Sequence, residues 1–327
     1  MSAAASRIEV APATPGGAPH VPVLLDQVLA LTAPEPGEVV VDCTFGAGGH
    51  AAALADRVGP TGRMVGIDRD PEAARHFARR MAHMPCPARL LEADFATGLA
   101  QLSDQGEGAD IILMDLGLSS MQVDTAERGF SYSRQAPLDM RMDPSLSVTA
   151  ADLVNTADEH DLTRWFREYG EERYAKQIAR AITRRRDEAP IATTGDLVEV
   201  IRGAVPTPAL FAGGHPAKRV FQALRIEVND ELGILERALP LAFDLLHPGG
   251  RLAVISFHSL EDRMTKRFMR DRTRGCICPP DMPVCGCGQK PEGRMVTPKA
   301  VKAVTGEIAA NPRAHSARLR VIRKGPE

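Results

Sequence analysis

Residues 41–50 read VDCTFGAGGH. The apolar run EVVVDCTF at 38–45 carries an acid near its end, and glycines then open a helical pattern from about Gly49 to Val58. Strand, glycine turn and helix together present backbone N–H groups to a nucleotide-like ligand at the helix N-terminus. Gly46-Ala47-Gly48-Gly49-His50-Ala51 fits G-x-G-x-x-G/A, and Asp68 follows about twenty residues on, at the end of the next strand. A lone glycine match also describes a bare structural turn, so the flanking elements carry the reading.

Working outward, RMVGIDRD (63–70), ARLLEADF (88–95) and ADIILMDLG (109–117) read as further strands, and PEAARHFARRMAH (71–83) as a helix with Pro71 in its first turn. Alternation of this kind predicts βαβ units and a parallel sheet. From about 119 to 228 no buried strand is evident, and 158–170, 171–188 and 194–205 have helical patterns. The sheet pattern returns with a helix over 231–247, stopped by HPGG, and strands at 251–258 and 317–324. The expected fold is α/β: a Rossmann-like core with an inserted, mainly helical domain. The expected division is a disordered Ala/Pro/Gly-rich tail at 1–19, core at 20–124, helical insertion for substrate recognition at 125–228, and core again at 229–327.

Asp42 discriminates between ligands. A dinucleotide pyrophosphate beside that carboxylate would be repelled. S-adenosylmethionine instead carries a sulfonium and an ammonium, which an acid at the end of the first strand favours. The strand ends also offer Asp68 for a ribose diol, Phe95 for an adenine face, Asp94 for the adenine amine, and Asp115. Any one of these acids alone reads as a helix cap.

The bulk composition excludes other classes. Charged residues make up 25% and hydrophobic residues 44%, as in ordinary globular proteins, and no apolar run approaches a membrane span. The N-terminal stretch has no secretory pattern, so a cytoplasmic location is expected. Net charge is −2, but Arg251 to Glu327 holds 16 Lys+Arg against 7 Asp+Glu. That basic quarter on an acidic body suits phosphates or a solvated face equally. Cys276, Cys278, Cys285 and Cys287 crowd one stretch. Four thiols suffice for tetrahedral zinc, but C-x-C spacing is the less common form and thiols in a flexible basic loop are the favoured reading, so no metal is assigned.

Longer motifs then occur in order: HVPVLLDQVL (20–29), DCTFGAGGH (42–50), GIDRDP (66–71), DLGLSSMQVD (115–124), RGFSY (128–132), PLDMRM (137–142), FQALRIEVNDEL (221–232), ISFHSLEDR (255–263) and NPRAHSARLRV (311–321). Together they resemble the small-subunit ribosomal RNA (cytosine-N4) methyltransferase family, RsmH or MraW, over nearly everything after about residue 20. The resemblance implies methyl transfer from S-adenosylmethionine to the exocyclic amine of one cytidine in the decoding region of bacterial 16S ribosomal RNA, with the RNA alone or the small subunit as partner. Carried over by motif, the cofactor contacts are Gly48, Gly49, His50, Asp68, Phe95, Asp115 and Gln122.

Asp115 is also the candidate catalytic residue, as an acceptor for the amine hydrogens. The Asp/Asn-Pro-Pro-aromatic motif of many amine methyltransferases is absent at this strand end, so base stacking falls to Phe130 or Tyr132. In the insertion, Trp165, Phe166, Tyr169 and Tyr174 interleave with Arg164, Arg167 and Arg173. A core stripe is the favoured reading for Trp165 and Phe166. Arg219 and Arg225 are candidates for phosphates or for ordinary ion pairs with Glu227 and Glu231. Ser259 with Asp262 reads as a helix cap beside His258. A methyltransferase for another substrate, or an assembly factor that retains cofactor, remain alternative functions. The apolar pattern is compatible with monomer or homodimer.

Overall fold

The computed structural model describes residues 22–208, 215–276, 278 and 286–325. The expected tail at 1–19 lies outside the described residues, as does Cys285. Seven strands form one sheet: β1 (Val39–Asp42), β2 (Arg63–Asp68), β3 (Ala88–Glu92), β4 (Ala109–Asp115), β5 (Leu246–Ser256), β6 (Gly293–Met295) and β7 (Arg318–Lys324). Their order is β3-β2-β1-β4-β5-β7-β6. The first five run parallel, and β7 pairs antiparallel with β5 and β6.

The central strands are apolar at successive positions because both faces are covered. Val41, Ile112, Met114 and Val254 join one cluster with Leu99 of α4 (Phe95–Asp104) and with Leu235, Leu239 and Phe243 of the helix Glu231–Leu245. Val40, Ile111, Leu113 and Ile255 face the other way, onto Val28 of α1 (Leu25–Thr32) and Leu54 and Val58 of α2 (Gly49–Val58). The period of two thus divides each strand between two cores. Asp70 caps α3 (Pro71–Met81), accepting from Glu72 N–H at 3.1 Å with Pro71 in the first turn.

Past β4 come α5 (Ser120–Asp124), α6 (Ala150–Thr156), α7 (Glu159–Glu168), α8 (Ala175–Glu188), α9 (Thr194–Ala204) and α10 (Pro216–Asn229). Residues from Phe130 to Leu224 build a third hydrophobic cluster that includes none from the sheet. Trp165 and Phe166 are buried in it, as a core stripe requires. Phe130 is buried there too, which removes it from stacking a target base; Tyr132 is exposed and stacks on His215. The chain returns through α11 (Glu231–Leu245) directly into β5, which begins at Leu246, ahead of HPGG rather than after it. The helix α12 (Ser259–Arg272) follows β5, and α13 (Thr305–Ala310) precedes β7.

Side-chain hydrogen bonds of Arg69 and Arg128 tie the insertion to the loop after β2. Arg69 Nη1 donates to the Asn229 carbonyl at 2.9 Å. Arg128 Nη2 donates to Asp70 Oδ2 at 3.0 Å and to the Met142 carbonyl at 2.8 Å. Asn229 in turn holds Met140 O and Met142 N–H.

Candidate active site

Parallel sheets bind ligands beyond the carboxyl ends of their strands, where the order reverses. Here the reversal lies between β1 and β4, and a cavity of ≈ 470 Å³ opens there, bordered by Gly49, His50, Asp68, Phe95, Asp115 and Gln122. Its size suits a small-molecule site.

The glycine loop is held by the second strand. Gly46 N–H donates to Asp68 Oδ2 at 2.7 Å, and Asp70 N–H donates to Asp68 Oδ1 at 2.9 Å. Burial raises the Asp68 carboxyl, partly offset by those N–H groups, with the nearby Asp70 charge adding to the rise. Gly48, expected to touch the cofactor, is not on the cavity wall. It is the N-cap of α2 at φ 71°, its N–H goes to Phe45 O, and an added Cβ would lie 2.5 Å from Phe45 Cζ. It shapes the turn that presents Gly49 and His50.

Asp42 is corrected as well. In the register of β1 and β4, Asp42 is level with Leu113, so Thr44 is level with Asp115. The carboxylate therefore sits one side-chain repeat beneath the rim, 1% exposed, accepting from Thr44 N–H at 3.1 Å. Burial pushes its pKa up to about 7, against the lowering effect of Thr44 and with a further rise from Asp68. Its influence on a ligand is Coulombic and comes from below.

Asp115 is the group the cavity leaves unmatched. Oδ1 is buried without a hydrogen-bond partner among the described residues, and Oδ2 lies 3.6 Å from His50 Nδ1. Burial, then Asp42 and Glu261, hold its carboxyl well above the usual range. Such a cluster calls for positive charge. Asp94 is a cap, as an isolated acid would be: its oxygens accept from Ala96 N–H, Thr97 N–H and the Thr97 hydroxyl. Gln122 borders the cavity with its amide engaged, accepting from Ser119 N–H at 3.1 Å and donating to Asp70 at 2.9 Å.

Beside Asp115, β5 contributes residues the sequence reading passed over. Phe257 is on the cavity wall, two residues past Ile255, the partner of Asp115 in the sheet. Its N–H donates to Glu261 Oε2 at 2.8 Å. The cap of α12 is thus His258 with Glu261 reaching back, whereas Ser259 donates to Glu171 and Asp262 pairs with Arg320 and Arg318. Burial raises Glu261, but His258 and Arg225 outweigh it and hold the carboxylate low. Arg225 also grips Glu231 through two bonds of 2.7 and 2.9 Å, and Arg219 pairs with Glu172 at 2.6 Å, so both are taken up in ion pairs.

The model of the MraW methylase family matches residues 17–325. The chain belongs to the MraW methylase family. Ribosomal RNA small subunit methyltransferase H of Heliobacterium modesticaldum is 51% identical over 308 residues, 93% of this chain and 98% of its own. The protein of the same name from Symbiobacterium thermophilum is 51% identical over 307 residues, 93% of this chain and 96% of its own. Among solved structures, a SAM-dependent O-methyltransferase from Thermotoga maritima aligns over 93% of this chain and 65% of its own at 10% identity and TM-score 0.39, too distant to argue from. The methylase uses S-adenosylmethionine, and the cavity fits it: three raised carboxyls meet a cation, and the buried Asp115 Oδ1 awaits a donor.

Proposed function

We propose that this methylase transfers a methyl group to the exocyclic N4 amine of a cytidine in the decoding region of 16S ribosomal RNA. Family membership and the names of its relatives, ribosomal RNA small subunit methyltransferases, support an RNA substrate. The observation that carries the amine is the unpartnered Asp115 Oδ1 at the cavity rim.

S-adenosylmethionine supplies an electrophilic methyl group when bound. The protein's part is alignment, which can contribute roughly 7–11 kcal/mol. Asp68 would receive the ribose hydroxyls and Phe95 would pack on the adenine. Asp115 Oδ1 accepts a hydrogen from the cytosine amine, turning the nitrogen lone pair out of ring conjugation and toward the methyl. As the new N–C bond forms, the methyl group's bond to sulfur breaks, S-adenosylhomocysteine leaves, and the amine sheds a proton that the raised Asp115 carboxyl is suited to take. Phe257 stacks on the flipped base, the role that Phe130 cannot fill from the insertion core. A ribosomal RNA substrate puts the enzyme in the cytoplasm; no helix among the described residues is long and apolar enough to cross a membrane.

The test supplies methyl-labelled S-adenosylmethionine with unmodified small ribosomal subunits or with the RNA stripped from them. N4-methylcytidine in the digested RNA is the expected product. Label in neither RNA, with cofactor binding intact, would overturn the reading.

A further inference from the structure

The loop that joins α12 to β6 leaves and returns at one place. Glu292 N–H donates to the Arg272 carbonyl at 2.9 Å, and the Arg272 and Glu292 side chains form an ion pair. Among its described residues no helix or strand is present between Thr273 and Gly293.

Three thiols meet across the neck of this loop. The sulfurs of Cys276, Cys278 and Cys287 all lie within 4.8 Å of one another, and Cys276 Sγ and Cys287 Sγ are 3.7 Å apart. Tetrahedral zinc with Zn–S bonds of about 2.3 Å sets its sulfurs about 3.8 Å apart. A disulfide would need about 2.05 Å. The pair, which forms a thiol–thiol hydrogen bond here, is thus not a disulfide and stands at the spacing of two sulfurs on one ion.

We propose that Cys276, Cys278 and Cys287 form a structural zinc site that closes the loop between α12 and β6. The thiolate is the form that binds metal, and soft sulfur ligands select zinc among the divalent ions that need no redox partner. Among the described residues the site has these three thiols, with water able to complete the tetrahedron. None of the three borders the cofactor cavity, so the ion acts on the loop and not on the methyl group. Binding releases thiol protons and couples metal affinity to ordering of the segment.

The full chain, purified reduced without chelator or affinity metal, is expected to carry about one zinc per chain by elemental analysis. Cys276→Ser and Cys287→Ser are expected to lose the zinc while S-adenosylmethionine affinity is kept, which separates loss of the site from loss of the fold. Cobalt added to the demetallated protein is expected to give the intense visible bands of tetrahedral thiolate coordination. Zinc below about a tenth of an equivalent that does not rise on adding zinc, or cobalt bands that remain octahedral and weak, would overturn the proposal.

Discussion

The Asp115 carboxylate lies 3.6 Å from His50 Nδ1, while His50 Nε2 meets the Val23 carbonyl at 2.9 Å. A carbonyl only accepts, so Nε2 carries a proton. In a neutral ring Nδ1 is then an acceptor facing a carboxyl group, and one further proton belongs between the two. Asp115, with its raised carboxyl, is able to supply it in the absence of a cation. A cationic ligand changes that balance.

Asp115→Asn preserves the shape and a donor to Nδ1 but removes the charge. Methyl transfer at saturating cofactor is expected to fall by about 10²- to 10³-fold, the size of losing one aligned electrostatic contact in a buried site. Single-turnover rates measure it. A near-normal rate would remove Asp115 from both its cofactor and its substrate role.

Asp42 makes binding pH-dependent. Its folded pKa of about 7 stands above the ordinary 3.8, so its contribution to stability is complete below about pH 4 and is lost as pH rises through about 7. Cofactor binding has the opposite sign, because a cation favours the ionised carboxyl. The dissociation constant for S-adenosylmethionine is expected to tighten as pH rises through about 7, and Asp42→Asn to flatten both trends. Calorimetric titrations and melting curves of the two proteins across this range decide it. Parallel curves would mean that Asp42 does not titrate there.

Phe257→Ala is expected to lower kcat/KM for RNA by about 10- to 100-fold, the equivalent of roughly 1–3 kcal/mol of base stacking. Cofactor affinity should be nearly unchanged, since Phe95 is the residue proposed to meet the adenine. Steady-state kinetics with a parallel cofactor titration separate the two. An equal loss in cofactor affinity would make Phe257 part of the cofactor site instead.

Arg128→Ala leaves the Asp70 carboxylate, 4% exposed, without its guanidinium and frees two carbonyls of the 141–142 segment. Breaking a buried pair from one side costs about 3 kcal/mol. Urea unfolding should show that loss, with the midpoint displaced and the protein still folded in water. A change within about 0.5 kcal/mol would mean that Gln122 and water satisfy Asp70 alone.

The strands were legible because each is a short apolar run between turn residues, and the inserted helices because the alternation stops at Leu118. The place of Asp68, Asp115 and Phe95 at the cavity was legible from the rule that strand ends line the ligand crevice, and that of His50 from the family resemblance. Depth was not. Asp42 and Asp115 both end strands, yet a parallel register two residues offset buries one and leaves the other at the rim. The partners of Arg219 and Asp262 lie 47 and 58 residues away, beyond any local pattern. Phe257 had a signal, the end of a strand beside Asp115, which the attention given to His258 obscured.

Residues 116–119 carry the chain out of the sheet and Asn229–Glu231 bring it back; residues 116–119 and Glu231 border the cavity. Gln122 fastens the first crossing to Asp70, and Arg69 fastens the second through the Asn229 carbonyl. The two crossings that join the inserted helices to the sheet are thus also part of the lip of the cofactor cavity. Any tilt of that unit reshapes the lip directly, with no relay through the sheet, and a ligand that fills the lip braces both crossings at once.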